Sequence, residues 1–332
     1  MKATIIIPTC NRTGPLIAAL ESISSIDPGA LGIEVLVVDN NQAADARRQV
    51  KSICSQIPGS IRYAAEPSPG LSAARHRGAF EATGDILIYV DDDVLVSRSW
   101  AEAILDAFTD PGAGIVGGPS IPVFTGSIPS WFWGFVDPTP FGGWSCGSLS
   151  LLDIGSDTAD INPIWIWGLN FSIRKSILFE LGGFNPDIVP ARYQRWQGDG
   201  ETGLAYKALE AGVRTDYRQA ALLRHVIGAD RLIPAYFEKR AYFQGVCDSF
   251  SRIRAGTEPQ ADTDGPKQIP VNPETGWGAV AYPARLSAFH AHNRGWRYHQ
   301  TEVAHDPELL SWVRRKDFLY ADVRTPAGRD PQ

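Results

Sequence analysis

Four apolar runs near the N-terminus constrain this chain most. Thr4–Ile7, Glu34–Val38, Ile61–Ala65 and Ile86–Val90 are short and almost uninterrupted. The stretches between them carry helical signals: Leu16, Leu20 and Ile23 after Gly14-Pro15, a polar stretch from Ala43 to Ser55, and the small-residue face Ala74, Gly78 and Ala82, closed by Gly84. Continuous apolar strands alternating with helices mark a parallel sheet covered on both faces. The expected fold class is α/β, a Rossmann-like, mostly parallel sheet flanked by helices. Such sheets bind ligands beyond the carboxyl ends of their strands. Those ends carry Pro8–Arg12, Asp39–Asn41 and Asp91–Asp93. Three polar clusters at three strand ends are the pattern of a nucleotide site.

Several other classes are disfavoured. The net charge of −6 argues against a general nucleic-acid binder, although it leaves room for a local phosphate site. No G-x-G-x-x-G follows the first strand and no G-x-x-x-x-G-K-[ST] occurs, which lowers the case for a dinucleotide oxidoreductase or a P-loop NTPase. Cys10, Cys54, Cys146 and Cys247 are far apart and form no C-x-x-C pair, so a disulfide framework or structural zinc is not expected and a reducing compartment fits. The opening apolar run is too short for a signal peptide, and no stretch approaches the ~20 apolar residues that span a bilayer. A soluble, cytoplasmic protein is the expectation.

The chain changes character after Gly117-Gly118. Residues 119–167 are rich in Pro, Gly and aromatics and hold five of the ten tryptophans: Trp131, Trp133, Trp144, Trp165 and Trp167. Trp165 and Trp167 read as core, whereas Ser130–Phe135 is less easily buried and would suit contact with a membrane surface. Helices are expected over Lys175–Leu181, from Glu201 to Gly212, and over Arg231–Phe250 with Pro234 in its first turn. Residues 255–278 read as a mobile loop that would close as a lid, and Pro283–Tyr320 as two helices. The working division is a half that carries the nucleotide-site pattern (1–118), a second half of the same domain that carries the Asp199–Glu201 acidic group (119–228), and a helical extension (229–332).

Chemistry concentrates in a few places. Asp91-Asp92-Asp93 places three carboxylates side by side, which is costly unless a cation compensates, and Mg²⁺ or Mn²⁺ bridges such groups to phosphates. The alternative is a solvated acidic turn. Asp39 suits a carboxylate that accepts from a base or ribose, or is a turn aspartate. Gly70, Leu71 and Arg75 start a helix whose free N–H groups and guanidinium suit phosphate. Asp199-Gly200-Glu201 at a helix start supplies either a general base or a cap. His225 is structural when taken alone. Arg231 and Arg240 form an anion-facing wall or a solvated helix face. His290, His292, His299 and His305 show no metal spacing and read as surface residues.

Taken in order, these motifs resemble the family 2 glycosyltransferases of GT-A fold over roughly residues 2–250. Ile6–Arg12 is similar to the family's first strand and nucleotide loop, and Val37-Val38-Asp39-Asn40 to its second-strand motif. Gly70–Arg75 with Gly78 is similar to Gly-x-x-x-Ala-Arg-Asn-x-Gly, with His76 in place of the asparagine. Tyr89–Asp93 is similar to the D-x-D motif, and Trp167-Gly168-Leu169-Asn170 with Leu181–Phe184 to the acceptor-side segment.

The resemblance implies an inverting, metal-assisted glycosyltransferase with a nucleotide-sugar donor, most commonly a UDP-sugar. It implies nucleotide contacts from Pro8, Thr9, Asn11, Arg12, Asp39, Asn41, Gly70, Leu71, Arg75, Asp91 and Asp92. Mg²⁺ or Mn²⁺ would sit on Asp91 and Asp93, with His225 near the metal. The acceptor, a glycan, lipid-linked or small-molecule hydroxyl, would meet Trp167, Gly168, Leu169, Asn170 and Trp196. The last belongs to Tyr193–Trp196, similar to a signature of processive synthases but placed before the base. Where the family has Gly-Glu-Asp, this chain has Gly198-Asp199-Gly200-Glu201. Glu201 falls at the base position, one methylene longer than the usual aspartate, and Asp199 remains its rival. A peripheral contact at the inner membrane face is compatible with this reading. A nucleotidyltransferase and a non-catalytic nucleotide-sugar-binding protein are the alternatives.

Overall fold

A computed structural model describes residues 2–270 and 276–325. Its first half runs β1 (Ala3–Thr9), α1 (Thr13–Ser24), β2 (Ile33–Asp39), α2 (Ala44–Gln56), β3 (Ile61–Ala65), α3 (Leu71–Glu81), β4 (Ile86–Val90), β5 (Val94–Val96), α4 (Trp100–Ala107), β6 (Ile115–Gly117) and β7 (Ser120–Phe124). There follow β8 (Asp137–Pro138), β9 (Trp144–Cys146), β10 (Leu151–Asp153), β11 (Asn170–Arg174), α5 (Lys175–Glu180), α6 (Gly200–Glu210), β12 (Thr215–Tyr217) and β13 (Leu223–Ile227). Three helices close the described chain: α7 (Pro234–Arg254), α8 (Gly276–His305) and α9 (Pro307–Arg314).

The main sheet has the order β12-β6-β11-β4-β1-β2-β3, all parallel except β11, which runs against both β4 and β6. The expected α/β class with a mostly parallel sheet and a helical C-terminus is what the chain adopts. Every residue of β4 is fully buried, as a central strand covered on both faces requires. The period of two sorts β1 between two cores: Ile5 and Ile7 pack with α1 and α4, Ile6 with α3 and β11. The small-residue face of α3 has a direct cause. A Cβ on Gly78 would lie 2.3 Å from Ile6 Cγ2, so only glycine lets the helix approach β1 this closely.

The Trp-rich segment is not plain loop. It builds most of a second sheet, β5-β13-β7-β10-β9-β8, a set of short strands invisible to periodicity. Trp131 packs edge-on against Phe135 and Phe237, while Trp133 is exposed.

The C-terminal region departs from expectation in three ways. Helix α8 begins at Gly276 and carries Pro283 inside it rather than at its start. The segment expected as a lid is held against both α7 and α8: Gln260 N donates to Gln300 Oε1 at 2.8 Å, Arg297 pairs with Asp264, and Lys267 Nζ lies 3.3 Å from Asp248 on α7. Residues 271–275 of that segment lie outside the described residues, and 276–278 are helical. His292 and His299 are buried between α7 and α8, not on the surface, because Gly245 and Gly295 bring the two backbones into contact. His290 and His305 are exposed as expected. Among the described residues no helix is long and apolar enough to cross a membrane.

Candidate functional site

Buried strands deliver their last residues to one edge of the sheet, and the polar clusters meet there. Asp39, at the end of β2, is fully buried. Its Oδ1 accepts from the Asn41 backbone N–H and Nδ2, both at 2.8 Å, and its Oδ2 accepts from Tyr63 Oη at 3.0 Å. Burial first, and Asp39 second, push the Tyr63 hydroxyl up to about 12, so it remains a donor. Asn41 Oδ1 in turn accepts from the Asn11 N–H at 2.8 Å and holds Asn11 in the left-handed region, φ 57°. Pro8 is buried in β1.

Asn40, part of the second-strand motif but given no role from the sequence, organises this edge. Its N–H donates to Thr9 O, its Nδ2 to Glu66 O and Ser68 O, and its Oδ1 accepts from Gly70 N–H at 3.0 Å. That contact seats Gly70 at φ 127°, a conformation open to glycine, just ahead of Leu71 and α3.

The acidic triplet splits three ways. Asp92 points back into β1, where Oδ2 accepts from Thr9 Oγ1 at 2.7 Å and Oδ1 pairs with Arg12 Nη1 at 2.8 Å. Asp93 Oδ2 receives Arg12 and Arg231 and lies 3.2 Å from His225 Nε2. Desolvation would raise the Asp93 carboxyl, but its surroundings, the two guanidiniums among them, hold it below its ordinary range. Asp91 faces Arg75 instead, at 3.6 Å.

Arg75 is the hub. Its side chain is 3% exposed, yet it carries a full charge. Nη1 lies 3.3 Å from Glu201 Oε2, Nη2 faces Asp91, and the guanidinium lies over the Phe184 ring at 5.1 Å. Gly168 makes room for it: a Cβ there would lie 2.5 Å from Nη2. Desolvation alone would raise the Glu201 carboxyl, but Arg75, backbone hydrogen bonding and Arg240 together bring it below its ordinary value. Glu201 is thus ionised at neutral pH and 30% exposed on its side chain.

Its rival is differently placed. Asp199 is buried, with Oδ1 accepting from Asn185 Nδ2 and Oδ2 from Ser251 Oγ, both at 2.6 Å. Oδ2 ties the start of α6 to α7, and Oδ1 ties it to the loop after α5.

Two further residues gain roles that the sequence did not assign. Asp187 reaches the same cluster, packed so closely that a Cβ on Gly200 would lie 2.6 Å from its Oδ2. Burial raises its carboxyl, and Glu201 raises it further. Its only signal was position, three residues after Phe184. His76, the departure from the family motif, is buried and accepts from Phe184 N–H through Nε2 at 2.9 Å. Burial lowers it to about 3, so it is the neutral acceptor this contact needs.

The acceptor-side residues diverge. Gly168 touches the hub and Trp167 is half-buried, its indole N–H on Ile164 O. Leu169 is core. Asn170 is a correction: it is buried, accepts from Trp100 Nε1, and donates to Pro119 O and Ala221 O, so it pins the sheets together and has no free polar atom for an acceptor. Trp196 is also a correction, packed against Trp312 among the C-terminal helices.

Among the described residues no three His, Cys, Asp or Glu side chains close a metal site. Two donors do meet. His225 Nδ1–H donates to Leu149 O at 2.9 Å, which leaves Nε2 as the lone pair facing Asp93. Asp93 Oδ1 is buried with no partner. This fits Mg²⁺ or Mn²⁺, which takes few protein ligands and completes its shell with phosphate and water. Asp91 does not join the pair.

Residues 4–136 match the model described as Glycosyl transferase family 2. The chain is 25% identical over 232 residues to the glucosyl-dolichyl phosphate glucuronosyltransferase of Haloferax volcanii, covering 69% of each. It is 31% identical over 127 residues to the succinoglycan biosynthesis protein ExoM of Rhizobium meliloti, covering 38% of this chain and 41% of that protein. Its fold is similar to that of the mannosyltransferase PcManGT of Pyrobaculum calidifontis, solved with GDP-Man and Mn²⁺ (TM-score 0.52, 20% identity, 87% of this chain and 73% of that one). It is likewise similar to GalNAc-T7 solved with UDP, GalNAc and Mn²⁺ (TM-score 0.52, 16% identity, 77% of this chain and 51% of that one).

Proposed function

From the family 2 glycosyltransferase domain that this chain carries in residues 4–136, we propose that the protein transfers a sugar from a nucleotide-sugar, a UDP-sugar in the first instance, to an acceptor hydroxyl with inversion. The observation that carries this reading is the meeting of Glu201, Arg75 and Asp91 beside the strand ends.

In this reading the nucleotide lies over the ends of β1, β2 and β4. Asp39 accepts from the base, held in place by Asn41 and Tyr63. Gly70, Leu71 and the N-terminus of α3 face the donor, and Arg12 lies at the diphosphate end. Mg²⁺ or Mn²⁺ held by Asp93 and His225 would offset the charge that grows on the departing diphosphate. Glu201 takes the proton from the acceptor hydroxyl as that oxygen attacks the anomeric carbon. Arg75 keeps Glu201 ionised and aimed. One displacement completes the transfer, and no covalent enzyme intermediate is needed.

The acceptor proposed is a lipid-linked hydroxyl. Support comes from the exposed Trp133 and Trp277, since indoles favour membrane interfaces, and from the dolichyl phosphate substrate in the name of the Haloferax relative.

Glu201→Gln tests the mechanism. It is expected to keep nucleotide binding, read by thermal shift, and to lower turnover at least ~10²-fold. Turnover within tenfold of wild type would remove Glu201 as the base.

A further inference from the structure

Arg231 ends a short 3-10 turn, Ala229–Arg231, between β13 and α7. Its guanidinium is forked. Nη1 donates to His225 Nε2 at 2.8 Å and Nη2 to Asp93 Oδ2 at 2.7 Å. Those two acceptors lie 3.2 Å apart. With Nδ1–H committed to Leu149 O, the imidazole presents a lone pair to a carboxylate. Two such groups repel at that distance unless a cation is shared between them. Here the shared cation is the guanidinium. Arg12 also reaches Asp93, but its second nitrogen goes to Asp92, not to His225. Asp93 Oδ1 has no partner at all, so the carboxylate has capacity beyond what the arginines use.

We propose that Arg231 stands in for the divalent cation. The metal ion and the guanidinium compete for Asp93 Oδ2 and His225 Nε2, and metal entry turns Arg231 out toward the donor's diphosphate. The Arg231 side chain is 18% exposed, so one side of it already faces solvent. Once displaced, its planar fork suits a phosphate group. Metal and nucleoside diphosphate thereby help each other: the metal frees Arg231, and the diphosphate gives it somewhere to go. This inference rests on the reading above that Asp93 and His225 hold the metal.

The experiment is Mn²⁺ binding to nucleotide-free protein, followed by loss of the free-ion EPR signal. Arg231→Met is expected to tighten Mn²⁺ at least tenfold, and Arg231→Gln, which removes the fork with less change in polarity, to tighten it too. Arg224→Met removes an exposed charge from the same strand without touching Asp93 and is expected to leave affinity unchanged. Equal tightening by Arg224→Met, or none by either Arg231 variant while wild-type binding depends on Asp93, would overturn the competition and leave the metal site standing. Mn²⁺ binding that survives Asp93→Asn, or no Mn²⁺ binding by any of the proteins, would overturn the metal reading together with it.

Discussion

Replacing Arg75 with methionine keeps a long side chain over Phe184 and removes the one guanidinium that faces both Glu201, at 3.3 Å, and Asp91, at 3.6 Å. Stripping the cation from a buried pair costs ~3–5 kcal/mol. Glu201 and Asp91 keep 30% and 34% of their side chains in solvent, so screening places the cost near ~3 kcal/mol. With 332 residues and roughly 2 cal/mol/K of unfolding entropy per residue, that is a fall in Tm of roughly 4 °C. The pH dependence separates charge from packing. In the wild type Glu201 sits below its ordinary pKa, so its contribution is complete above the unfolded value of ~4.3 and is lost as pH falls through the folded one. In the variant, burial pushes Glu201 up and Asp91 further up. A raised carboxyl penalises the fold above the unfolded pKa and ceases to do so below it. The deficit should therefore be largest near pH ~8 and shrink by at least half near pH ~5. Thermal unfolding followed by tryptophan fluorescence at both values reads it. An equal deficit at both would show that Arg75 acts through packing, and the electrostatic account of Glu201 would fall with it.

Gly168→Ala approaches the same hub from the other side. Its Cβ would lie 2.5 Å from Arg75 Nη2 and 3.0 Å from Nη1, so kcat/KM should drop about tenfold through misplacement while Tm falls less than for Arg75→Met; wild-type kinetics would show that the guanidinium can move without consequence. His76, lowered to about 3 by burial, stays neutral in the fold while the unfolded chain takes up its proton below ~6.5. Its contribution is whole above that value and is lost as pH falls toward the folded pKa. His76→Asn, whose Oδ1 can still accept from Phe184 N–H, should flatten the stability slope by about 1.4 kcal/mol per pH unit between pH ~6 and ~4; chemical denaturation showing the wild-type slope would refute this.

The α/β core was legible because a parallel strand covered on both faces is apolar over most of its length, as β1, β2 and β4 are. The polar clusters at their ends follow from the same rule, since a parallel sheet carries its ligands there. The second sheet was not legible. Its strands run from two to five residues, and β13 reaches β7 from about a hundred positions away. Motif position also misled where burial decides: Asn170 and Trp196 match acceptor-side segments, yet long-range packing turned both inward.

Local chemistry in this chain stops at candidates. Motif position ranked Glu201 over Asp199 at the start of α6 but left both open as the base, and a neutral or charged histidine at position 76 looked the same. What separates them is solvent and partners drawn from far along the chain. Asn185 and Ser251 close around Asp199, while Arg75 from α3 charges and aims Glu201. Apolar periodicity is written in neighbouring residues and survives without a fold. Desolvation and ion pairing arise only when distant elements meet, and for that reason they belong to the folded molecule.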